Sequence, residues 1–374
     1  MPKETLLVVL GAGASFDAIP DSFSDDTTVR SEGLEEHRLF DVRPPLANDL
    51  ARARPLQNEI LAKWEGARPV VEFLRSHLAG GTPDEQALSL EGALSKYEAD
   101  GARVSEHFTH LHAFRFYLRD LLWATGDYMN SPQLTVVTNH DALLRLLHNW
   151  ATEDDNRRVC IASFNYDLIL ERAAGARLGF EFTSPDTYLR HPTIKIVKPH
   201  GSVQWAWRVR SEKKLPRTDP YAYGSKSISF ARTEGVDDST IVTVPFAAHK
   251  WRYDRGLQEG LIPALALPIA NKSEFVWPEV HKEYLYSLVR DTVTRVLTIG
   301  WRGLEPLFLT LINGIAAGSD TRVQIVTGGP EGDRDARAIE ERIRAVVQIG
   351  QSNRVPDGFT GFLANSSSAE WLLN

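Results

Sequence analysis

The sequence predicts an α/β fold built on a parallel, Rossmann-like sheet. Short apolar runs recur along the chain, continuous in Leu6 to Leu10, and each stops at a glycine or a polar residue, the pattern of strands buried in a parallel sheet. Segments with apolar residues at helical spacing separate these runs, as the crossovers of a parallel sheet require. The third observation is positional. The polar, glycine-containing motifs of the chain fall at predicted strand ends, which is where open α/β sheets bind ligands.

The first strand is Leu6-Leu7-Val8-Val9-Leu10, closed by Gly11. Residues 45–80 carry helix-like patterning after Pro44-Pro45. From Phe108 to Trp123, the residues Phe108, Leu111, Phe114, Leu118, Leu121 and Leu122 follow helical spacing, and Asp141 to Trp150 repeats it with Leu143, Leu144, Leu146 and Leu147. The chain thus leaves the sheet for a helical insertion at about 45–150 and returns with the strand Val159-Cys160-Ile161-Ala162-Ser163. A helix over Leu168 to Ala174, closed near Gly175, precedes a short strand from Ile194 to Lys198 that runs into His200. Residues 208–240 are polar, with Pro216 and Pro220, and read as a long loop within a second, polar insertion at about 205–245. Strands at Val293 to Ile299, ending at Gly300, and at Val323 to Thr327, ending at Gly328-Gly329, precede an amphipathic helix over Asp333 to Val347. The whole, 1–374, reads as a single domain carrying two insertions.

Composition narrows the function classes. The chain has 374 residues, 43% hydrophobic and 24% charged, ample for a packed core. A net charge of −7 argues against a dedicated nucleic-acid surface. The single cysteine, Cys160, excludes an intrachain disulfide and a four-cysteine zinc site, and within its apolar run it reads as a small buried hydrophobe. Five apolar residues after the N-terminal Met1-Pro2-Lys3-Glu4-Thr5 are too few for a signal-peptide core. No stretch approaches the roughly 20 apolar residues of a membrane span. A cytoplasmic protein without membrane association is expected.

Three motifs carry the chemistry. In Gly11-Ala12-Gly13-Ala14-Ser15 the glycines permit a sharp turn and a close approach of backbone to a pyrophosphate, with a helix N-terminus behind it. The bland alternative is a plain strand-to-helix turn. Phe16 stands where the third glycine of the dehydrogenase fingerprint belongs, which argues against hydride transfer. In Phe164-Asn165-Tyr166-Asp167, Asn165 can hold a ribose hydroxyl or position a water without ionising, or it can be a turn residue bonded to its own backbone. Asp167 either orients neighbouring groups or caps the following helix. His200, before Gly201-Ser202, has the pKa range of a general base, against the alternative of a solvent-facing loop histidine.

Other clusters read as structural. His107, His110 and His112 lack a carboxylate pattern such as HExxH and are expected to be helix-surface or core residues, with no metal. Arg208, Arg210, Lys213 and Lys214 beside Trp205 and Trp207 form an aromatic–basic cluster that can bind single strands, but a solvated loop is the reading preferred. Glu331, Asp333 and Asp335 fit the start of a helix.

Taken in order, these motifs resemble the sirtuin superfamily, which carries GAGxS, an Asn-x-Asp element, a catalytic His-Gly and a glycine-rich strand end. Here the matching pieces are Gly11 to Ser15, Asn165 to Asp167, His200-Gly201 and Gly300-Trp301, with Ala18-Ile19-Pro20 similar to the family's Gly-Ile-Pro. The departures are a missing four-cysteine zinc module, Asp21-Ser22-Phe23-Ser24 where the family has an arginine, and long helical material between the first two motifs. With these departures the chain resembles the sirtuin-like domains of bacterial anti-phage defence systems. The resemblance implies a sirtuin-type fold and NAD hydrolysis to nicotinamide and ADP-ribose, with NAD as substrate and no metal. It implies that Asn165 positions water and ribose, with Asp167 beside it, and that His200 acts as base or ribose contact. Gly11, Ala12, Gly13 and Ser15 would line the phosphates, and Gly300, Glu305, Thr327 and Gly328 would lie near the adenosine half. Control is expected from homo-oligomerisation or from a partner such as a HerA-like ATPase or a short Argonaute-type protein. An ADP-ribosyltransferase or deacylase, and a non-catalytic NAD- or ADP-ribose-binding subunit, stay open as alternatives.

Overall fold

Six of the seven residues of the strand Glu4–Leu10 are buried, because neighbours pair with it on both edges and side chains cover both faces. The computed structural model describes residues 4–19, 26–31, 35–78, 92–99, 105–129, 131, 134, 138–215, 220–244, 259–267, 275–291, 293–315 and 321–373. Pro20 and the segment Asp21 to Ser24 lie outside them. In chain order the strands are β1 (Glu4–Leu10), β2 (Thr28–Val29), β3 (His37–Arg38), β4 (Arg157–Ser163), β5 (Ile194–Val197), β6 (Gly201–Val209), β7 (Val236–Thr243), β8 (Leu261–Leu265), β9 (Val293–Ile299), β10 (Thr321–Val326) and β11 (Ile349–Val355).

The described chain divides into two compact units. The first comprises Met1–Ser24, Thr135–His200 and Asn271–Asn374. It holds a six-stranded sheet in the order β11-β10-β9-β1-β4-β5, and every pairing is parallel. Counted along the chain within this sheet, the order from the other edge is 3-2-1-4-5-6, so the fold is a doubly wound, Rossmann-like α/β domain. The connectivity reverses direction between β1 and β9. In register, Leu7 sits between Cys160 of β4 and Val296 of β9. One face packs Leu7, Val9, Cys160, Val296, Val323 and Ile325 against Phe308, Ile339 and Ile343 from helices. Burial pushes the Cys160 thiol well above its usual range, so it stays a neutral hydrophobe.

Two details differ from the sequence reading. The helix after Asp167 does not close at Gly175 but runs Ile169–Leu178 and ends on Gly179, whose φ of +68° supplies the left-handed C-cap. The sheet also gains β11, an edge strand with a mostly solvent-facing pattern that carries no continuous apolar run. The helix Gly332–Arg344 follows the expected amphipathic pattern, burying Ala336, Ile339 and Ile343 with Asp333 and Asp335 in its first turn.

The second unit comprises Asp25–Leu134 and Gly201–Ala270, so it draws on both expected insertions. The helix Asn139–Thr152 belongs to the sheet unit instead. Where the sequence reads as a long polar loop over 208–240, the chain forms the helix Pro220–Glu234 and most of β7. β7 is an edge strand, antiparallel to β6, which pairs on its other side with β8. One exposed helix face and an edge strand account for the polar composition. The long helix Ser105–Met129 packs Phe116 on Trp64, ring centroids 4.7 Å apart, and Asp120 accepts the Trp64 indole N–H at 2.9 Å. Gly224 is required beside that indole, since a Cβ there would stand 2.4 Å from the ring. His107 stacks on Tyr97, the Tyr97 hydroxyl lies 2.9 Å from His110 Nδ1, and His112 packs on Phe108. Trp205 and Trp207 are buried, while Arg208 pairs with Glu259 and Lys213 with Glu234. Among the described residues no helix is long and apolar enough to cross a membrane.

At the reversal in the sheet the loops after β1 and β9 meet backbone to backbone. Gly11 N–H donates to Ile299 O at 3.0 Å and Gly13 N–H to Gly300 O at 3.1 Å. A Cβ on Gly11 would lie 2.4 Å from Gly300 O, one on Gly13 2.8 Å from Gly300 Cα, and one on Gly300 2.4 Å from Ala14 N. Gly300 also has φ +59°. Gly300→Ala is therefore expected to destabilise the sheet unit by about 2–5 kcal/mol, from backbone strain plus overlap. Gly329→Ala, at φ +82° but with no atom within 4 Å, should lose only about 1–2 kcal/mol. Chemical denaturation of the two variants beside wild type checks the difference.

Candidate functional site

The site is built from the carboxyl ends of β1, β4, β5, β9 and β10. After β1 the helix Ala12–Phe16 is a single short turn. The N–H groups of Gly11, Gly13 and Ala14 are taken by Ile299 O, Gly300 O and Gly11 O. The glycines therefore act here by letting another backbone come close, not by holding those three donors ready. Ala12 and Gly13 are half-buried, and Ser15 is buried with its hydroxyl turned toward the end of β4.

At the end of β4, Asn165 Nδ2 donates to Ser15 Oγ at 2.8 Å. The glycine motif and the Asn-x-Asp motif, 150 positions apart, thus share one hydrogen bond. Asn165 is 7% exposed, which suits a group that must act away from bulk water. Asp167 Oδ1 accepts the Ile169 N–H at 3.1 Å, so its carboxylate caps the start of the following helix. His200, just past β5, is 8% exposed rather than a solvent-facing loop residue. Its ring meets Phe164 edge-on at 4.8 Å, stacks with Tyr166 at 6.0 Å and lies 6.3 Å from Phe275.

Phe164 is the packing centre of this region, touching Trp301 and Phe308 as well as His200. Trp301 follows Gly300, and its indole N–H donates to Glu305 Oε2 at 2.6 Å. Glu305 thereby fixes the tryptophan that backs Phe164. Thr327 and Gly328 close β10. The Thr327 hydroxyl donates to Gly332 O at 2.6 Å, its carbonyl accepts the Gly358 N–H at 2.7 Å, and Gly328 lies against Gly358. The structure thus joins Ser15 to Asn165, Phe164 to His200, and Gly11 and Gly13 to Gly300, while the contacts of Thr327 and Gly328 lie with the turns at Gly332 and Gly358.

Several residues at this end of the sheet went unread in the sequence. Lys198, fully buried, donates to Glu171 Oε1 at 2.5 Å and to Asp167 O at 2.7 Å, and the Tyr188 hydroxyl donates to the same Glu171 oxygen at 3.1 Å. The available signal was a lysine ending an apolar strand and a glutamate inside an apolar helix. Tyr166, within the motif itself, supplies a wall for His200. A second Asn-x-Asp element, Asn139-His140-Asp141, opens the helix Asn139–Thr152. Asn139 Nδ2 donates to Asp17 O at 2.7 Å and Thr360 Oγ1 at 2.8 Å, and the Asp17 carboxylate accepts the Phe359 and Thr360 N–H groups. Asp141 forms a capping box with Thr138.

Electrostatically the region is a buried, mixed-charge cluster. Burial lowers the His140 pKa to about 4, with Lys198 acting the same way and Asp167 and Asp141 opposing it. His281 falls to about 4 by burial as well, although the bond to Pro185 O opposes it. Burial raises the Glu171 carboxyl, against the pull of Lys198.

The fold and the strand-end placement define a doubly wound, Rossmann-like domain with a polar site at the carboxyl edge of its sheet. No family model matches the chain, and no curated protein matches it in sequence. A solved structure described as showing the structural basis of sirtuin substrate affinity is similar over 96% of this chain and 91% of that one, at 11% identity and a TM-score of 0.39.

His140 and His281 make the sheet unit acid-sensitive. Both are neutral in the fold and charge more readily when unfolded, so the unfolded chain binds more protons between about pH 6.5 and 4. Stability is full above that window and falls as pH drops through it, by up to about 3 kcal/mol per histidine. The melting temperature should fall from pH 7 to 4.5, and His140→Leu should fall less steeply. Calorimetry across that range checks both.

Proposed function

We propose that this chain hydrolyses NAD at its N-glycosidic bond, giving nicotinamide and ADP-ribose, as an anti-phage effector that depletes NAD. The observation that carries this reading is the Asn165–Ser15 hydrogen bond. It unites the two motifs that the sirtuin resemblance assigns to ribose and phosphate, at the carboxyl edge of a doubly wound sheet. With one Nδ2 hydrogen given to Ser15, Asn165 keeps its Oδ1 acceptor and a second N–H for a ribose hydroxyl or the attacking water. Nicotinamide leaves with the electrons of the glycosidic bond, and the ribose becomes oxocarbenium-like. Water adds to the anomeric carbon, and His200 takes its proton. The low exposure of Asn165 and His200 supports a site that admits a placed water and excludes bulk solvent.

In this reading Gly11, Ala12, Gly13 and Ser15 line the phosphates, with the N–H groups of Gly11 and Gly13 bonded to Ile299 O and Gly300 O rather than to the ligand, while Gly300, Glu305, Thr327 and Gly328 border the adenosine half. Such an activity is toxic unless gated, and we assign the gate to self-assembly or to a HerA-like ATPase or short Argonaute-type partner.

The test is nicotinamide release from NAD by purified protein, alone and with the product of a neighbouring gene, beside Asn165→Ala and His200→Ala. Wild type should release nicotinamide, and each variant should fall by about 10²-fold or more, the scale of a lost acid–base or positioning group. Equal release from wild type and Asn165→Ala, or no binding of NAD by the wild-type protein, would overturn the reading.

A further inference from the structure

We propose that Lys198 and Glu171 are positioning residues: their buried ion pair sets the placement of Asn165 relative to His200 and thereby the rate of the chemical step. The proposal rests on the NAD-hydrolysis reading above. Its physical core is connectivity. Asp167 lies two residues after Asn165, and Lys198 lies two residues before His200. Lys198 Nζ reaches across from the end of β5 and donates to Asp167 O at 2.7 Å. It is held there by Glu171 Oε1 at 2.5 Å, which also accepts the Tyr188 hydroxyl at 3.1 Å. One ammonium group therefore ties the loop that carries Asn165 to the loop that carries His200.

The backbone makes this tie necessary. The helix begins at Ile169 with Leu168 as its N-cap, so the Asp167 carbonyl precedes the helical ladder and needs another donor in a buried setting. A lysine supplies that donor, and a buried lysine in turn needs a counter-charge. The Lys198 and Glu171 side chains are 0% and 4% exposed. Glu171 Oε2 is buried and has no hydrogen-bond partner among the described residues. A pair that is fully desolvated and incompletely bonded is a poor stabiliser, since well-packed apolar residues hold a fold as well or better. What apolar residues cannot do is hold the Asp167 carbonyl. Position is the property that this pair uniquely supplies.

The test separates position from stability. Lys198→Met with Glu171→Leu removes both charges together, leaving no orphaned ion. The double variant is expected to melt modestly below wild type, because the Asp167 carbonyl loses its donor, but to stay folded, with KM for NAD little changed and kcat lower by about 10²-fold, the effect of a displacement of about 1 Å. The Asn165 side-chain amide resonance, assigned by its loss in Asn165→Asp, should also shift. A double variant with wild-type kcat and an unmoved amide resonance overturns the proposal. If wild type hydrolyses no NAD, the functional reading fails by itself, and the amide resonance still decides whether the pair positions Asn165. Should the double variant not fold, Tyr188→Phe carries the test. It loosens Glu171 without changing charge, and is expected to shift the same resonance, whereas an unmoved resonance overturns the proposal.

Discussion

The contact of Gly11 and Gly13 with Gly300 is the constraint on which the rest of the sheet unit depends. A parallel sheet that reverses its connectivity between β1 and β9 brings two loops together at the same edge. Usually such loops splay and leave a crevice. Here they touch through main chain alone, because none of the three positions has a Cβ to hold them apart. The turn after β1 must then be tight, and the short helix Ala12–Phe16 begins at once. That early start directs Ser15 at Asn165.

From that contact the site grows outward by packing. Phe164 links Trp301, which follows Gly300, to His200 after β5. The aromatic rings set where the histidine can stand, and Glu305 pins the tryptophan by its indole N–H. On the other side Asp17 caps the helix Gly358–Ala364 from outside that helix, and Asn139 bridges Asp17 to Thr360. Asp17 and Asn139, polar residues that the sequence does not single out, spend their hydrogen bonds joining distant segments. Asp167 combines both kinds of work: its carboxylate caps a helix, and its carbonyl receives Lys198.

The strands of the sheet were legible because a strand covered on both faces concentrates apolar residues: Leu6 to Leu10 of β1 and Val159 to Ala162 of β4 are unbroken runs, and β9 and β10 keep theirs around Arg295, Thr298 and Gln324. β11 was not, because an edge strand facing solvent has no such requirement. The helix Pro220–Glu234 and β7 were hidden for the same reason: each has an exposed side, and their charges read as loop. Pairing with β6 organises β7, and periodicity carries no trace of a partner remote in sequence. The histidines near 110 and the tryptophans near 205 show the converse. Their residue types suggest ligands, while in the fold His107 stacks on Tyr97, His112 packs on Phe108 and both tryptophans are buried.

By itself the sequence determined the fold class, the strand ends and the residues that sit on them, because these depend on local apolar runs and on the turn chemistry of glycine and asparagine. Which of those residues touch was decided by tertiary structure alone. The order of the strands puts β1 between β4 and β9, and only that order makes Ser15 a neighbour of Asn165 and Gly13 a neighbour of Gly300. The buried pair of Lys198 and Glu171 belongs to the same category. A charge in an apolar run has no local reason to exist, and its reason appears when the chain returns to place an orphaned carbonyl within its reach.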